Sequence, residues 1–155
     1  MKEINSIRTN INTQKMTAAP ENAYKVDLQY GPADFDGLGH INNVVYLRWV
    51  QDAAEAHWQA LTKDSPTHDI AWVVLRHEID YFLPALPEDS PYALTWVGET
   101  AGVRSVRHVR IHDRTGRLLS EASTTWCMID INTKKAKRIT DEVKSLLLKP
   151  IHPGS

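Results

Sequence analysis

The chain has 155 residues, of which 42% are hydrophobic and 24% are charged, and its formal net charge is −1. This length suits one domain, and a domain of this size buries enough surface to fold without a metal or a disulfide. The near-neutral charge excludes the general basic field expected of a nucleic-acid-binding protein. The single cysteine, Cys127, excludes an internal disulfide framework and a multi-cysteine zinc cluster. The composition therefore predicts a soluble protein of one domain and does not indicate a reaction.

Residues 1–22 show no sustained hydrophobic period, and a Pro-Glu-Asn sequence ends them. They are predicted to form a flexible arm, followed by one domain over residues 23–150 and a tail over residues 151–155. The arm lacks the continuous apolar segment of a signal peptide, and no window reaches the roughly 18 apolar residues of a membrane span. Together with the lone cysteine, these features predict a cytoplasmic protein without a membrane partner.

The first regular element is predicted to begin at Tyr24, where apolar and polar residues alternate as far as Tyr30. This is the pattern of a half-buried strand, and Gly31 and Pro32 end it. A loop then leads to a long amphipathic helix over about residues 41–61. At about 100° per residue, one face of this helix carries Tyr46, Val50, Ala53, His57 and Leu61.

The rest of the chain is rich in β-branched and aromatic residues and predicts strands. They are expected over residues 71–83, 92–97, 103–112 and 118–131, with a turn at residues 113–116. Thr140 is expected to N-cap a short closing helix over residues 141–148. Consecutive strands with short links favour an antiparallel sheet, and the long helix must bury its apolar face against it. The predicted class is therefore α+β.

The loop before the long helix has the densest group of polar residues, Asp34-Phe35-Asp36-Gly37-Leu38-Gly39-His40-Ile41-Asn42-Asn43. It ends where the first backbone N–H groups of a helix lack intrahelical partners, so these groups can stabilise a developing oxyanion. Glycine permits close approach of a ligand, and an upstream carboxylate can act as a general base or a nucleophile. The same residue types also form helix caps and turns, so the pattern alone is compatible with a purely structural loop.

The segment from Asp34 to Trp49 resembles the signature of the hotdog-fold thioesterases, roughly D-x-D-x-x-G-H-x-N-N-x-x-Y, and matches every specified position. It is similar to the 4-hydroxybenzoyl-CoA thioesterase-like acyl-CoA hydrolases and also to the plant-type acyl-ACP thioesterases. The resemblance continues through residues 78–84 and 118–131 and covers about residues 24–148. It implies a hotdog fold, an antiparallel sheet wrapped around one long helix. It also implies homodimers, often paired into tetramers, with active sites at subunit interfaces.

The resemblance implies roles for individual residues. Asp36 falls where the hydroxybenzoyl-CoA branch has its catalytic base or nucleophile, and Asn43 where a backbone N–H polarises the thioester carbonyl. His40 matches a histidine that helps to manage the attacking water in the acyl-ACP branch, and Glu78 stands roughly where that branch has a further acid. Asp34 is the second candidate for the catalytic acid, but it is expected to cap the loop. Substrate contacts are expected from Gly39, Asn42 and Tyr46.

The expected reaction is hydrolysis of an acyl-CoA thioester to a free acid and coenzyme A, in fatty acid metabolism. No metal and no cofactor are expected apart from the coenzyme A of the substrate. The acyl-ACP branch has an asparagine where this chain has Leu38, and this departure favours the CoA carrier. Two alternatives stay open: an acyl-ACP thioesterase that binds an acyl carrier protein, and a non-catalytic protein that binds acyl-CoA or lipid. The intact Asp36 and His40 speak against the second.

Outside the loop, His57 is predicted to be a hydrogen-bonded core or interface residue, and Cys127 a small buried hydrophobe rather than a nucleophile. Trp72 and Tyr81 are candidates for lining an acyl pocket. The histidines of the strands lack companions at metal-ligand spacing, so no metal site is predicted.

Local clusters of basic residues interrupt the near-neutral sequence. Their members are Arg104, Arg107, Arg110, Lys134, Lys135, Lys137 and Arg138. They are expected either to form a solvated surface or to bind the phosphates of coenzyme A, with Arg104 and Arg107 foremost. An acidic carrier protein would use the same surface.

Overall fold

The computed structural model describes residues 17–65 and 67–151. Over these residues the chain forms β1 Tyr24–Asp27, α1 Asn43–Thr62, β2 Ile70–Tyr81, β3 Tyr92–Ala101, β4 Arg104–His112, β5 Leu118–Asp130 and α2 Asp141–Leu147. Short 3₁₀ turns at Pro32–Asp34 and Pro87–Asp89 precede α1 and β3. The order and type of the predicted strands and helices are confirmed. Residues 1–16 of the predicted arm and residues 152–155 of the predicted tail lie outside the described residues.

The strands form one antiparallel sheet in the order β1-β3-β4-β5-β2. β3, β4 and β5 are neighbours in sequence as well as in space, whereas β2 crosses over to pair with β5. In that pairing Ile70 lies opposite Asp130 and Tyr81 lies opposite Ser120. β2 is therefore an edge strand of 12 residues. One long helix across such a sheet is the arrangement expected of a hotdog fold.

The face of α1 that was predicted to be apolar is the face that packs on the sheet. All five of its predicted members are buried: Tyr46, Val50, Ala53, His57 and Leu61. Trp49 is also buried completely, and its indole N–H is satisfied by the carbonyl of Gln29 at 2.8 Å. In the described part of the chain, no helix has both the length and the apolar character needed to cross a membrane.

Two predicted boundaries differ from the structure by three residues or more. β1 ends at Asp27 rather than Tyr30, because the main-chain groups that follow bond outside the sheet. The N–H of Leu28 donates to Pro91, and the carbonyl of Gln29 accepts from two side chains of α1. β3 continues to Ala101, beyond the predicted end at residue 97. The ends of a strand depend on which hydrogen-bond partners its main chain finds, and a single sequence does not reveal those partners.

The last residues of the predicted arm contact the sheet. Arg110 on β4 donates from Nη1 to the carbonyl of Thr17 at 2.6 Å and from Nε to Glu121 at 3.2 Å. The charge of Arg110, which was grouped with the phosphate-binding candidates, is thus already paired within the chain.

Candidate active site

The loop between β1 and α1 folds around the carboxylate of Asp36. Its Oδ1 accepts backbone hydrogen bonds from Leu38 at 2.9 Å and from His40 at 3.0 Å. The N–H of Asp36 donates in turn to the carbonyl of His40 at 2.8 Å. Gly39 closes this turn with a φ of +76°, a conformation that favours glycine. The turn thus holds the carboxylate in one place while the side chain stays exposed.

The charge state of Asp36 follows from these contacts. The backbone hydrogen bond from His40, followed by that from Leu38, holds the pKa of Asp36 below its usual value of 3.8. The carboxylate is therefore ionised at neutral pH, as a general base or nucleophile must be. Both N–H donors bond Oδ1, so within residues 17–65 and 67–151 Oδ2 has no hydrogen-bond partner. That oxygen is available to a water molecule or a carbonyl carbon.

α1 begins directly after this turn. Asn42 is its N-cap, with a side chain that accepts from the N–H of Val44 at 3.4 Å and a carbonyl that accepts from Val45 at 2.9 Å. The N–H of Asn43, the first residue of the helix, has no hydrogen-bond partner in the described part of the chain. Because this N–H lies at the positive end of the helix dipole, it is suited to polarise a carbonyl oxygen.

The other acid of the loop, Asp34, makes the contacts expected of a capping residue. It accepts from the N–H of Gly31 at 2.9 Å and from both terminal nitrogens of Arg48 at 3.0 and 3.1 Å. The hydrogen bond from Arg48 is the main reason that the pKa of Asp34 is lowered. The carbonyl of Asp34 also accepts from the N–H of Asn42 at 2.7 Å. These bonds fix the 3₁₀ turn to the first turns of α1.

Tyr46 lies beneath the loop with an exposed fraction of 1%. Its hydroxyl accepts from the N–H of Ala85 at 3.0 Å, and the carbonyl of Ala85 accepts from the N–H of Ile41 at 2.8 Å. Burial raises the pKa of Tyr46 to about 12, so the hydroxyl remains protonated. This position suits a residue that holds the loop, in contrast to the substrate contact expected from the motif.

Of the two other residues expected in the site, His40 lies within the turn and Glu78 lies outside it. His40 is half-buried within it. Glu78 lies on β2, where it is exposed and forms an ion pair with Arg76. β2 meets the start of α1 at Tyr81, whose hydroxyl donates to the carbonyl of Asn43 at 3.4 Å. Glu78 is three residues before Tyr81, which corresponds to about 10 Å along the strand.

The structure separates Arg104 and Arg107, the two arginines of β4 that were the foremost phosphate-binding candidates. Arg104 is exposed, whereas Arg107 has an exposed fraction of 6%. Arg107 donates from Nη1 to Nδ1 of His57 at 2.7 Å and to Oγ1 of Thr95 at 3.1 Å. Burial, followed by the charge of Arg107, lowers the pKa of His57 to about 3, so the ring is neutral and Nδ1 accepts. The prediction that His57 is a hydrogen-bonded core residue is confirmed.

A cavity of about 460 Å³ lies between the second half of α1 and the sheet. Its walls include the indole rings of Trp58, Trp72 and Trp126, together with Arg107. Trp58 and Trp72 meet edge to face with ring centroids 5.6 Å apart. Trp72 was predicted as a pocket residue and lines this cavity. Trp58, Trp126 and the buried Arg107 were missed as a group, because the long-range pairing of β5 with both β2 and β4, beneath α1, brings them together.

The fold and the loop geometry together define the class of hotdog-fold thioesterases. The family model described as the acyl-ACP thioesterase N-terminal domain matches residues 21–147. The chain belongs to this family, and it is accordingly a thioester hydrolase.

Individual relatives agree with this assignment. The long-chain acyl-CoA thioesterase FadM of Escherichia coli is 27% identical over 118 residues, which cover 72% of this chain and 87% of that protein. The structure of a thioesterase superfamily protein from Jannaschia sp. CCS1 is 18% identical, with a TM-score of 0.75 over 85% of this chain and 95% of that one. A thioesterase from Thermus thermophilus, solved with coenzyme A and zinc, is 19% identical, with a TM-score of 0.70 over 83% and 95%. The two structures confirm the fold.

Proposed function

We propose that this thioesterase hydrolyses acyl-CoA thioesters to a free acid and coenzyme A. The observation that carries the proposal is the ionised, exposed carboxylate of Asp36 in the turn that leads into α1, whose first N–H, that of Asn43, has no hydrogen-bond partner among the described residues. A base or nucleophile next to an oxyanion site is sufficient for thioester hydrolysis, so we expect no cofactor apart from the coenzyme A of the substrate. The cytoplasmic location and the place in fatty acid metabolism stay predictions.

Asp36 acts on the thioester in one of two ways. As a general base, it takes a proton from water, and the water oxygen attacks the carbonyl carbon. The N–H of Asn43 donates to the resulting oxyanion, the C–S bond breaks, and the proton held by Asp36 passes to the departing thiolate. As a nucleophile, Asp36 itself displaces the thiolate and forms an anhydride, which water then hydrolyses. In either route we expect His40 to position the water or the substrate, and Gly39 and Asn42 to contact the substrate.

Support for coenzyme A as the carrier comes from three sources. Leu38 replaces the asparagine of the acyl-ACP branch, FadM is named as an acyl-CoA thioesterase, and the Thermus thermophilus structure contains coenzyme A. Arg104, with Lys134 and Lys135 in the turn after β5, is exposed and suited to bind phosphates. The name of the matching family favours the second candidate, an acyl-ACP thioesterase, in which an acidic carrier protein would contact the same basic residues.

We also propose that the chain forms a homodimer, or a dimer of dimers, in which a second copy completes the site. The edge strand β2 has exposed apolar side chains at Val73 and Leu75, with exposed fractions of 39% and 49%. Beside the site, Leu38 and Val44 are 76% and 70% exposed. Long edge strands and exposed apolar side chains are surfaces that association covers.

The carrier and the reaction can be tested together. The purified protein is given aliphatic and aromatic acyl-CoAs, and an acyl-ACP with a matching acyl group, while thiol release is followed colorimetrically. We expect at least one acyl-CoA to be cleaved with a kcat/KM about tenfold above that of the matching acyl-ACP. Faster cleavage of acyl-ACP would favour the second candidate. Binding of acyl-CoA without cleavage of either carrier would contradict hydrolysis and support the non-catalytic alternative.

A further inference from the structure

The cavity beside α1 contains a buried cation that the proposed hydrolysis does not use. Arg107 is 6% exposed, yet it lines a cavity whose other walls are largely aromatic and aliphatic. A guanidinium group has five N–H donors, and both hydrogen bonds that Arg107 makes to described residues leave from Nη1. The N–H groups on Nε and Nη2 are thus unpaired in this part of the chain.

No carboxylate of the described residues lies within ion-pair distance of Arg107. Its two partners, His57 and Thr95, are uncharged, and they fix the position of the guanidinium without neutralising it. Among the residues that line the cavity, the one with a carboxylate is Glu55. Its side chain is exposed and accepts a hydrogen bond from Gln59 at 3.3 Å. A buried charge without a counter-ion is costly, so a bound anion would be strongly favoured at this position.

The cavity has the size and the lining of a ligand site. Its volume of about 460 Å³ falls in the range of sites that bind small molecules. The rings of Trp58, Trp72 and Trp126, with Ala54 and Leu147, provide apolar walls for an extended hydrocarbon or an aromatic group. The combination of apolar walls and one buried cation matches a molecule that is apolar along its length and anionic at one end.

We propose that this cavity binds an acyl group whose far end carries a carboxylate, and that Arg107 binds this carboxylate. The substrate class is then an acyl thioester with a second, terminal acid, and this part of the proposal rests on the proposed thioesterase function. The lining residues of α1 run from Gln51 to Trp58, so the helix axis rises by about 12–22 Å between Asn43 and the cavity. An acyl group attached at the loop of Asp36 must therefore be long to reach Arg107.

Binding in the cavity can be measured without any hydrolysis. Decanoate and decanol share the same apolar chain and differ in the group offered to Arg107. Intrinsic tryptophan fluorescence reports their binding, because three of the five tryptophans line the cavity. We expect the wild-type protein to bind decanoate at least about tenfold more tightly than decanol, because a charge-assisted hydrogen bond to Arg107 contributes at least that much affinity. Equal affinities for the two compounds would overturn the proposal.

Arg107→Met removes the charge and keeps the length of the side chain, and we expect it to bind both compounds equally. Its Tm should change little, because the loss of a buried charge offsets the loss of the hydrogen bonds to His57 and Thr95. Arg114→Met is the matched control, since Arg114 is exposed in the turn between β4 and β5 and does not line the cavity. It should keep the preference for decanoate.

If Arg107→Met does not fold, Ala54→Leu fills part of the cavity and should weaken decanoate binding at least tenfold with Arg107 in place. Retention of the preference in Arg107→Met, or unchanged binding in Ala54→Leu, would refute the site.

Hydrolysis provides the second measurement. We expect a CoA thioester of hexadecanedioic acid to have a kcat/KM at least about tenfold above that of hexadecanoyl-CoA, and Arg107→Met to abolish the difference. If both esters are cleaved equally well by the wild type, the proposed substrate class is wrong and the thioesterase function stands. If neither is cleaved while decanoate binds through Arg107, the cavity site stands and its assignment to the hydrolysed acyl group is wrong.

Discussion

Two titratable side chains, Asp36 and His57, have opposite environments, and each environment fixes a charge state. Asp36 is exposed and accepts two backbone N–H groups, which keep its pKa low and its carboxylate ionised. His57 is 1% exposed beside Arg107, and its pKa of about 3 keeps the ring neutral. The sequence predicted a carboxylate in the loop at Asp36 and a buried histidine on the apolar face of α1 at His57. It did not predict that a guanidinium is the partner of His57, because the two residues are 50 positions apart.

The neutral His57 makes stability depend on pH. In the unfolded chain its pKa is about 6.5 and in the folded protein about 3, so protonation below pH 6.5 favours the unfolded state. Between about pH 7 and pH 4.5, His57 alone should lower the free energy of unfolding by on the order of 2 kcal/mol. In His57→Gln this contribution should be absent, and urea denaturation at the two pH values measures it.

The exposed His68 supplies the control for this comparison. His68→Gln should show the same loss of stability at low pH as the wild type. An equal loss in His57→Gln would contradict the assignment of a neutral, buried His57.

At the scale of elements, the start of α1 is held by bonds that link three separate segments. The loop residue Ile41, the helix residue Tyr46 and the segment after β2 meet at Ala85, which donates to the hydroxyl of Tyr46 and accepts from the N–H of Ile41. The helix itself was predictable, because its apolar period is long and regular. The role of Tyr46 was not, because the spacing places it on the buried face without indicating that its hydroxyl reaches Ala85.

Tyr46→Phe tests this link. The change leaves the buried N–H of Ala85 without an acceptor, so the free energy of unfolding should fall by about 1–3 kcal/mol. Chemical denaturation measures this loss. We also expect a lower kcat, because Ala85 holds Ile41 and hence the turn of Asp36.

Tyr92→Phe is the matched control, since its hydroxyl makes no hydrogen bond to the described residues. It should change stability by less than about 0.5 kcal/mol. If Tyr46→Phe is as stable as Tyr92→Phe, the bond to Ala85 does not stabilise the loop.

At the scale of the whole molecule, strand order decides which surfaces are free. The strand types and most of their bounds followed from the alternation of residues, but the crossover that puts β2 at an edge did not. The cavity depends on the same crossover, because Trp72 on β2 and Trp126 on β5 become neighbours only through that pairing. A single sequence contains the residues of such a site without the long-range contacts that assemble it.

The exposed edge β2 gives a prediction about assembly. We expect the wild-type protein to have at least twice the chain mass of 17.6 kDa in multi-angle light scattering. Leu75→Lys places a charge on the edge strand and should produce the monomer mass. Leu148→Lys changes a similarly exposed leucine at the end of α2, 52% exposed, and should leave the assembly intact. A wild-type monomer, or a Leu75→Lys variant that remains dimeric, would contradict association through β2.

The most direct test of thioester hydrolysis by this loop is the kcat of Asp36→Asn on the best acyl-CoA substrate. Asparagine keeps an oxygen to accept from Leu38 and His40, so the turn should survive while the base or nucleophile is lost. We predict a fall in kcat of at least about 100-fold with an unchanged Tm. Asp34→Asn, which weakens the contact with Arg48, should lower Tm and keep kcat within about threefold of the wild type. Full activity of a folded Asp36→Asn variant would contradict the assignment of Asp36 as the catalytic carboxylate.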